Sequence, residues 1–260
     1  SYKKNIKECL NMLNKFLERI TRFCRYLMSD DFKGNHKYQN KNKITNRYIV
    51  LNLLKNKNFI PGNIVDVGCG YGEWTKVLLD KFPSSTYYLF DANKNNEKHL
   101  KDLTKNKDNL HYKICLLSDK ISNYKFFSMG TGSSIYEENT NHPRIVMDMT
   151  SSTLKKELNY ELSNFKNNLI KLDVQGSELK VLDGLGDLID NFEVIILEVS
   201  LHEYNKGAPL FIDIINYMKG KNFKLYDLFD FKRLGQEKSF LLQFDCIFVN
   251  QKSNLLNVNF

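Results

Sequence analysis

The stretch Val65-Asp66-Val67-Gly68-Cys69-Gly70-Tyr71-Gly72 connects two different patterns of apolar residues. Before it, the β-branched run Asn63–Val67 predicts a short buried strand, and after it, Glu73–Lys81 predicts a helix. Glycines at such a junction allow positive φ angles and let the backbone approach a ligand closely. Ligands of open parallel sheets bind beyond the carboxyl ends of the strands. The stretch therefore predicts a ligand site at the end of a strand.

The alternation of strand and helix patterns continues along the chain from about residue 46. Further strands are predicted at Thr86–Phe90, Leu110–Leu116, Asn168–Leu172, Val194–Leu197, Phe223–Leu228 and Leu241–Val249. Further helices are predicted at Lys94–Thr104, Ser177–Leu185 and Pro209–Lys219. This order predicts an α/β domain over residues 46–260, with a central, mostly parallel seven-stranded sheet and helices on both faces.

Residues 1–45 are predicted to form an N-terminal helical extension and a linker. Apolar residues recur at three- and four-residue steps over residues 5–28, which predicts a helix with one apolar stripe. We expect this stripe to pack on the main domain or on a second subunit in a homodimer. Peripheral binding to a membrane surface is the alternative, because Lys and Arg lie on the polar side. Residues 29–45 are polar and lack periodicity, which indicates a linker or loop.

Composition favours a soluble, cytoplasmic protein. The five cysteines are an odd number without a Cys-x-x-Cys pair, which argues against a disulfide framework or a zinc ribbon. No stretch approaches the ~20 apolar residues that span a bilayer. The net charge of +8 is compatible with nucleic acid as a partner, but the basic residues are scattered. We therefore expect no specific nucleic-acid partner.

The spacing of the glycines argues against a dinucleotide site. A G-x-G-x-x-G fingerprint requires glycine where Glu73 stands, and the glycines fall at 68, 70 and 72 instead. This spacing, with Asp66 two residues before the first glycine, resembles motif I of the Rossmann-like methyltransferases. Their methyl donor, S-adenosylmethionine (SAM), has no pyrophosphate but carries an amino group and a sulfonium. A carboxylate at position 66 attracts such cations and would repel a phosphate.

Two later positions complete the predicted cofactor site. Asp91, with Ala92 after it, ends the second strand about 20 residues beyond the glycines, where a carboxylate can accept hydrogen bonds from ribose hydroxyls. The same residues could instead only cap the next helix. Ser118 and Asp119 follow the third strand, where methyltransferases often contact the adenine amino group, although such a pair is also common in turns.

Four further stretches, in the same order along the chain, resemble the FkbM-type methyltransferases. The most distinctive is Asp173-Val174-Gln175-Gly176-Ser177-Glu178, which is similar to a D-V-[QE]-G-x-E motif that follows a strand. The other three are Gly130–Glu138, the stretch from Leu197 to Leu210, and the terminal strand Gln243–Val249. The resemblance covers about residues 60–250. It implies SAM-dependent O-methylation of a sugar hydroxyl on a glycan, a glycolipid or a glycosylated metabolite.

This resemblance and the motif positions define the predicted site. The predicted cofactor-binding residues are Asp66, Gly68, Cys69, Gly70, Tyr71, Gly72, Asp91, Ala92, Ser118, Asp119 and Asp173. The predicted catalytic residues are Asp173, Glu198 and His202, with Asp173 as the first choice for a base or a hydroxyl acceptor. The acceptor pocket is predicted to include Ser133, Ser134, Tyr136 and Tyr204, because hydroxyls and aromatic rings suit sugars.

Three alternatives stay open. Asp173 and Glu198 could hold Mg²⁺ through hard oxygen ligands, but a third ligand is not evident, and Gln175 stands where many family members carry Glu. A nucleic-acid methyltransferase would usually carry an Asn/Asp-Pro-Pro-aromatic motif where this chain reads Asp173–Gly176. A SAM-binding module without catalysis is the third alternative, since a fold does not establish a function.

Overall fold

The computed structural model describes residues 46–158 and 167–257. The helix and linker predicted within residues 1–45, and the domain boundary at residue 46, lie outside or at the edge of this range and stay predictions. Within the described residues, no helix is long and apolar enough to cross a membrane.

The elements alternate as the sequence pattern predicts. The helices are α1 (Arg47–Asn56), α2 (Glu73–Lys81), α3 (Glu97–Thr104), α4 (Leu154–Leu158), α5 (Glu178–Leu185) and α6 (Phe211–Gly220). The strands are β1 (Asn63–Val67), β2 (Thr86–Asp91), β3 (Leu110–Ile114), β4 (Leu116–Leu117), β5 (Asn123–Ser128), β6 (Ile145–Ser152), β7 (Asn168–Leu172), β8 (Phe192–Ser200), β9 (Phe223–Leu234) and β10 (Phe240–Asn250).

The seven predicted strands form one sheet in the order β3-β2-β1-β7-β8-β10-β9. The first five strands of this order pair in parallel. Strand β10 is antiparallel to both β8 and β9. The predicted mostly parallel, seven-stranded α/β sheet is therefore confirmed. The order doubles back at β1, so β1 and β7 lie side by side and their carboxyl ends meet, which places a site there.

Helices cover both faces of the sheet, which explains why the central strands read as continuous apolar runs. One face, which includes Val65 and Ile170, packs against helices α5 and α6. The other face, which includes Ile64 and Leu169, packs against α1, α2 and α3. Every residue of β1 and of β7 is buried.

A small second sheet was not predicted. Strands β5 and β6 form an antiparallel hairpin, and β4 adds to β6 in parallel. The predicted strand Leu110–Leu116 divides here, because β3 ends at Ile114 and β4 turns into the second sheet. The residues of β6 are mostly exposed, so burial imposed no clear alternation that could have revealed the strand. Helix α1 was also not predicted.

We expect Gly68→Ala to destabilise the fold far more than Gly70→Ala does. Both residues have positive φ angles, of 73° and 55°, and such angles cost an alanine about 1–2 kcal/mol. A Cβ at position 68 would also lie 1.9 Å from the carbonyl oxygen of Asp173, whereas a Cβ at position 70 would meet nothing within 4 Å. Urea unfolding should therefore show a further loss of at least about 2 kcal/mol for Gly68→Ala. Equal losses of stability in the two variants would contradict the close contact between Gly68 and the backbone of Asp173.

Candidate active site

The glycine turn and the loop after β7 touch each other at the carboxyl end of the sheet. Gly68 lies against the backbone of Asp173, and the Asp173 N–H donates to the carbonyl oxygen of Val67 at 3.0 Å. The N–H groups of Gly68 and Cys69 donate to the carbonyl oxygen of Phe90 at the end of β2. The turn is therefore fixed to both neighbouring strands, which brings the ends of β1, β2 and β7 together.

A cavity of about 210 Å³ opens at this junction. It is lined by the glycine turn, the ends of β2 and β7, strand β4 and the loop that follows β5. The structure brings nine of the predicted site residues into its wall, namely Gly68, Cys69, Gly70, Tyr71, Asp91, Ala92, Ser133, Ser134 and Asp173. One cavity thus contains both predicted cofactor residues and predicted acceptor residues.

Asp91 is a buried carboxylate at the cavity wall with three donors of its own. It accepts from the N–H of Gly70 at 2.7 Å, from the N–H of Asn93 at 2.8 Å and from Asn96 Nδ2 at 3.0 Å. Burial raises the pKa of Asp91, and these three hydrogen bonds oppose that rise. A carboxylate offers about four lone-pair sites, so Asp91 can still accept from a ligand hydroxyl. Asn93 and Asn96 also line the cavity and were not predicted.

The same part of the cavity has an apolar wall that was not predicted. Four of its side chains are Phe90, Leu116, Leu117 and Phe126, which come from three different strands. Phe126 belongs to the β5–β6 hairpin, so its position depends on an element that the sequence pattern did not reveal. Together with Asp91, this wall could hold a nucleoside, with the apolar surface against a base and the carboxylate on a ribose.

Asp66 lies beneath the turn and not in the cavity wall. Its side chain is fully buried, and Oδ2 accepts from Thr75 Oγ1 at 2.7 Å, while Oδ1 has no hydrogen-bond partner. Burial raises its pKa, which the ammonium of Lys171 and the hydroxyl of Thr75 oppose. Direct contact of Asp66 with a cofactor stays a prediction. In the structure, its carboxyl accepts from Thr75 and interacts with the ammonium of Lys171.

Lys171 is a buried cation that the prediction missed. It stands opposite Asp66 in the register of β1 and β7, and it is 1% exposed. Its Nζ lies 3.2 Å from Asp173 Oδ2 and 5.5 Å from the centre of the Trp74 ring. Burial alone would lower the pKa of Lys171, but the surrounding carboxylates raise it above its ordinary value. A lysine inside the apolar run of β7 was a visible signal, because buried lysines are rare without partners.

Asp173 and Glu198 are joined by the side chain of Gln175. Gln175 Nε2 donates to Asp173 Oδ1 at 2.9 Å and to Glu198 Oε2 at 2.5 Å. Burial alone would raise the pKa of Asp173, but Lys171 and then Lys232 lower it below the ordinary value. Burial and the neighbouring Asp173 raise the pKa of Glu198. Asp173 therefore favours its ionised form more strongly than Glu198 does, and it is the one of the two that lines the cavity.

Glu178 organises the loop that carries Asp173 and Gln175. Its Oε1 accepts from the N–H of Val174 at 3.0 Å and from the N–H of Gly176 at 3.2 Å. Burial raises the pKa of Glu178 to about 8. The glutamate of the D-V-Q-G-x-E motif thus binds two backbone N–H groups of its own loop, which explains why a carboxylate stands at this position of the motif.

The predicted acceptor loops connect to each other. An antiparallel bridge pairs Glu138 with Asn205, and the Asn139 N–H donates to the carbonyl oxygen of Tyr204 at 2.7 Å. Ser134 is buried, and its Oγ donates to the carbonyl oxygen of Gln175 at 2.8 Å. The loop after β5 and the loop after β8 are therefore both attached to the loop after β7.

The remaining predicted residues do not line the cavity. Glu198, His202 and Tyr204 line a separate small cleft, and the exposed His202 ring stacks on Phe240 with 4.3 Å between centroids. Burial and the nearby Glu138 raise the pKa of Tyr204 to about 12. Four further predicted residues also lie outside the cavity wall, namely Gly72, Ser118, Asp119 and Tyr136. Asp119 Oδ1 accepts from Ser118 Oγ and from the Tyr124 hydroxyl, so part of its capacity is used within the chain.

Metal binding gains no support from the described residues. Within residues 46–158 and 167–257, no three His, Cys, Asp or Glu side chains are grouped so that they could hold an ion. The predicted pair of ligands, Asp173 and Glu198, is occupied by donors from Lys171, Gln175 and Lys232.

We expect Lys171→Met to lower the free energy of unfolding by about 3–5 kcal/mol at neutral pH, because it leaves buried carboxylates without their partner. Those carboxylates would then bind protons more tightly in the folded chain than in the unfolded one. The loss should therefore shrink as the pH falls toward about 4.

Chemical unfolding across this pH range measures the effect, and Lys155→Met is the matched control. Lys155 pairs with Asp187 on the surface, where both side chains are more than half exposed. Its loss should stay within about 1 kcal/mol. A small, pH-independent loss for Lys171→Met would show that the carboxylates do not depend on this cation.

Comparison with known proteins gives a family match. A model of the methyltransferase FkbM domain matches residues 66–225, which is more than half of the chain. A search of curated proteins found no match. The matched range begins at Asp66 and includes Asp91, Asp173 and Glu198.

Several solved structures are similar to this chain at low sequence identity. The methyltransferase FkbM from Methylobacillus flagellatus is 12% identical with a TM-score of 0.45, over 73% of this chain and 43% of that protein. A SAM-dependent methyltransferase from Clostridium acetobutylicum is 13% identical with a TM-score of 0.44, over 92% of this chain and 99% of that one. Magnesium protoporphyrin IX methyltransferase from Synechocystis, solved with bound SAM, is 11% identical with a TM-score of 0.43, over 77% of this chain and 76% of that one.

The chain thus spans less than half of the Methylobacillus protein, and what these proteins act on says nothing about its own acceptor. The family match covers the glycine turn, the cavity and the loop after β7. The chain belongs to the FkbM family of SAM-dependent methyltransferases.

Proposed function

We propose that the cavity binds SAM through the glycine turn and Asp91. The residues present suit this group. The turn has no Cβ at positions 68, 70 and 72, Asp91 has lone pairs left for ribose hydroxyls, and the apolar wall suits an adenine ring. Cys69, Tyr71 and Ala92 complete the wall beside them. Among the described residues of the wall, the carboxylates of Glu73, Asp91 and Asp173 outnumber the ammonium of Lys171, so the cavity attracts a cation, and SAM carries one at its sulfur.

We propose further that the acceptor is a hydroxyl of a sugar, on a glycan, a glycolipid or a glycosylated metabolite. One observation carries this proposal: the carboxyl of Asp173, whose pKa the ammonium of Lys171 lowers, lines the same cavity as the predicted cofactor residues. An ionised carboxylate only accepts hydrogen bonds, so it selects a donor such as a hydroxyl. The family resemblance supports a sugar as the bearer of that hydroxyl.

Asp173 is proposed to orient the hydroxyl more than to act as a strong base. When bound, SAM supplies an electrophilic methyl group. The lowered pKa makes Asp173 a weak proton acceptor, yet a hydrogen bond to it turns an oxygen lone pair of the hydroxyl in a defined direction. Lys171 and Gln175 hold its two oxygens. A proton that reaches Asp173 is released again readily, because the ionised form is the stable one.

The other predicted residues receive supporting roles in this proposal. Ser133 lines the cavity and can contact the acceptor, whereas Ser134 holds the loop after β7 in place. Tyr136 and Tyr204 belong to the two connected loops that would border a larger acceptor. Glu198 pairs with Lys232 and accepts the second hydrogen bond of the Gln175 amide, and His202 would contact only an acceptor that extends into the small cleft.

We expect Asp91→Ala to weaken SAM binding by at least about tenfold, because hydrogen bonds to a charged group contribute about 1.5–3 kcal/mol. Isothermal titration calorimetry measures this directly. Asp102→Ala is the control, since Asp102 is an exposed carboxylate on α3. Asp119→Ala in the same series tests the predicted contact with adenine. Unchanged affinity in Asp91→Ala, or no binding by the unaltered protein, would refute the cofactor site.

We expect Asp173→Asn to reduce methyl transfer by about 10²-fold or more, because a neutral amide orients the hydroxyl less well than a carboxylate does. The substitution keeps the shape of the side chain, so SAM affinity should change less than in Asp91→Ala. Transfer of labelled methyl from SAM to a panel of glycans, RNA and DNA measures the effect and identifies the acceptor class. Full activity in Asp173→Asn, or transfer to nucleic acid alone, would contradict the proposal. SAM binding without transfer to any acceptor would favour a module without catalysis.

A further inference from the structure

The side-chain amide of Gln175 lies between two carboxylates and uses both of its hydrogens. Nε2 donates to Asp173 Oδ1 at 2.9 Å and to Glu198 Oε2 at 2.5 Å. A primary amide has two N–H donors, so neither carboxylate has to share a proton with the other. Gln175 can therefore keep two neighbouring acids in separate charge states.

The backbone holds Gln175 in a conformation that a glutamine would not adopt by itself. Its φ angle is +53°, in the left-handed region, which costs a residue with a Cβ about 1–2 kcal/mol. Its carbonyl oxygen accepts from Ser134 Oγ and from Asn205 Nδ2, both at 2.8 Å. Strained residues of this kind persist where the surrounding structure determines them, and they cluster at functional sites.

The hydrogen bond from Gln175 fixes the Asp173 carboxylate from one side, and Lys171 fixes it from the other. Lys171 Nζ lies 3.2 Å from Oδ2, so each oxygen of Asp173 has one donor within the chain. The plane of the carboxylate is therefore set before any ligand binds. Each oxygen retains capacity for a further hydrogen bond.

We propose that Gln175 is a positioning residue, which sets the orientation of Asp173 toward the acceptor hydroxyl and preserves its charge. This inference rests on the proposed function, since it assigns Asp173 to the acceptor. It gives the amide a role in this chain: Gln175 donates to both Asp173 and Glu198, whereas the Glu that many family members carry here would donate only when protonated. It also explains the motif, because Glu178, Ser134 and Asn205 all act on the loop that carries Gln175.

Charged groups from several strands face this pair and must be considered in any test. Lys171 is on β7, Lys232 on β9, Asp245 on β10 and Asp66 on β1, and all act on Asp173 or Glu198 together with Glu178. None of them changes when Gln175 is replaced by a neutral residue. A change in the behaviour of Asp173 can then be assigned to the missing amide.

The test is the titration of Asp173 by NMR in protein carrying ¹³C-labelled aspartate, with the signal assigned by Asp173→Asn. Gln175→Ala should raise the apparent pKa of Asp173 by about one unit, because a hydrogen bond to the charged form is lost. Gln243→Ala is the matched control. Gln243 Nε2 lies 3.4 Å from the same Glu198 oxygen and 3.3 Å from Ser200 Oγ. It should leave the pKa of Asp173 within a few tenths of a unit.

Kinetics give the second readout. Gln175→Ala should lower kcat for methyl transfer at least about tenfold and leave the KM for SAM nearly unchanged, as expected for lost orientation of the acceptor. If Gln175→Ala does not fold, Gln175→Glu replaces it. That variant should raise the pKa of Asp173 further and regain activity as the pH falls, because the introduced carboxyl becomes a donor when protonated.

An unchanged pKa of Asp173 in Gln175→Ala, or an equal change in Gln243→Ala, would overturn the proposal. So would full kcat in Gln175→Ala. If the unaltered protein methylates no sugar, the proposed function fails, and the titration still decides whether Gln175 positions Asp173. The two failures are thus distinguishable.

Discussion

Lys171 carries a positive charge into the middle of the sheet, and the carboxylates of Asp66, Asp173, Glu198 and Asp245 surround it. Buried ions are stable only where opposite charges lie close to them and further hydrogen bonds satisfy their polar atoms. The register of β1 against β7 supplies Asp66, and the register of β10 against β8 places Asp245 beside Glu198. All lie on the sheet face that packs against α1, α2 and α3. This cluster therefore links the alignment of four strands to the charge of the site above it.

The same cation connects the fold to the proposed chemistry. Its ammonium lowers the pKa of Asp173 at the cavity wall, while the missing Cβ of Gly68 lets the glycine turn lie against the backbone of Asp173. The methyl donor and the acceptor hydroxyl must meet in line for a displacement, so the two loops that we propose to hold them have to be placed with sub-ångström accuracy. Direct contact between those loops, instead of a connection through flexible side chains, provides that accuracy.

The fold and the glycine-turn end of the cavity were predictable because their signals are local. Buried parallel strands read as apolar runs, and the turn at Gly68–Gly72 and the acid Asp91 follow them at fixed distances. The hairpin that supplies Phe126 was missed, since the exposed strand β6 carries no clear pattern. Lys171 and Gln175 were missed as functional residues because their roles depend on residues distant in sequence, such as Asp66, 105 residues before Lys171, and Ser134, 41 residues before Gln175. The assignment of Asp66 as a direct ligand remains untested, and its burial favours an indirect role.

A crystal structure with S-adenosylhomocysteine would test the central claim most directly, namely that the methyl donor and Asp173 share one cavity. The account predicts that the ribose hydroxyls donate to Asp91, that the adenine ring lies against Leu117 and Phe126, and that the sulfur faces the side of the cavity where Asp173 lies. A product bound elsewhere, or bound here with its sulfur turned away from Asp173, would contradict the account.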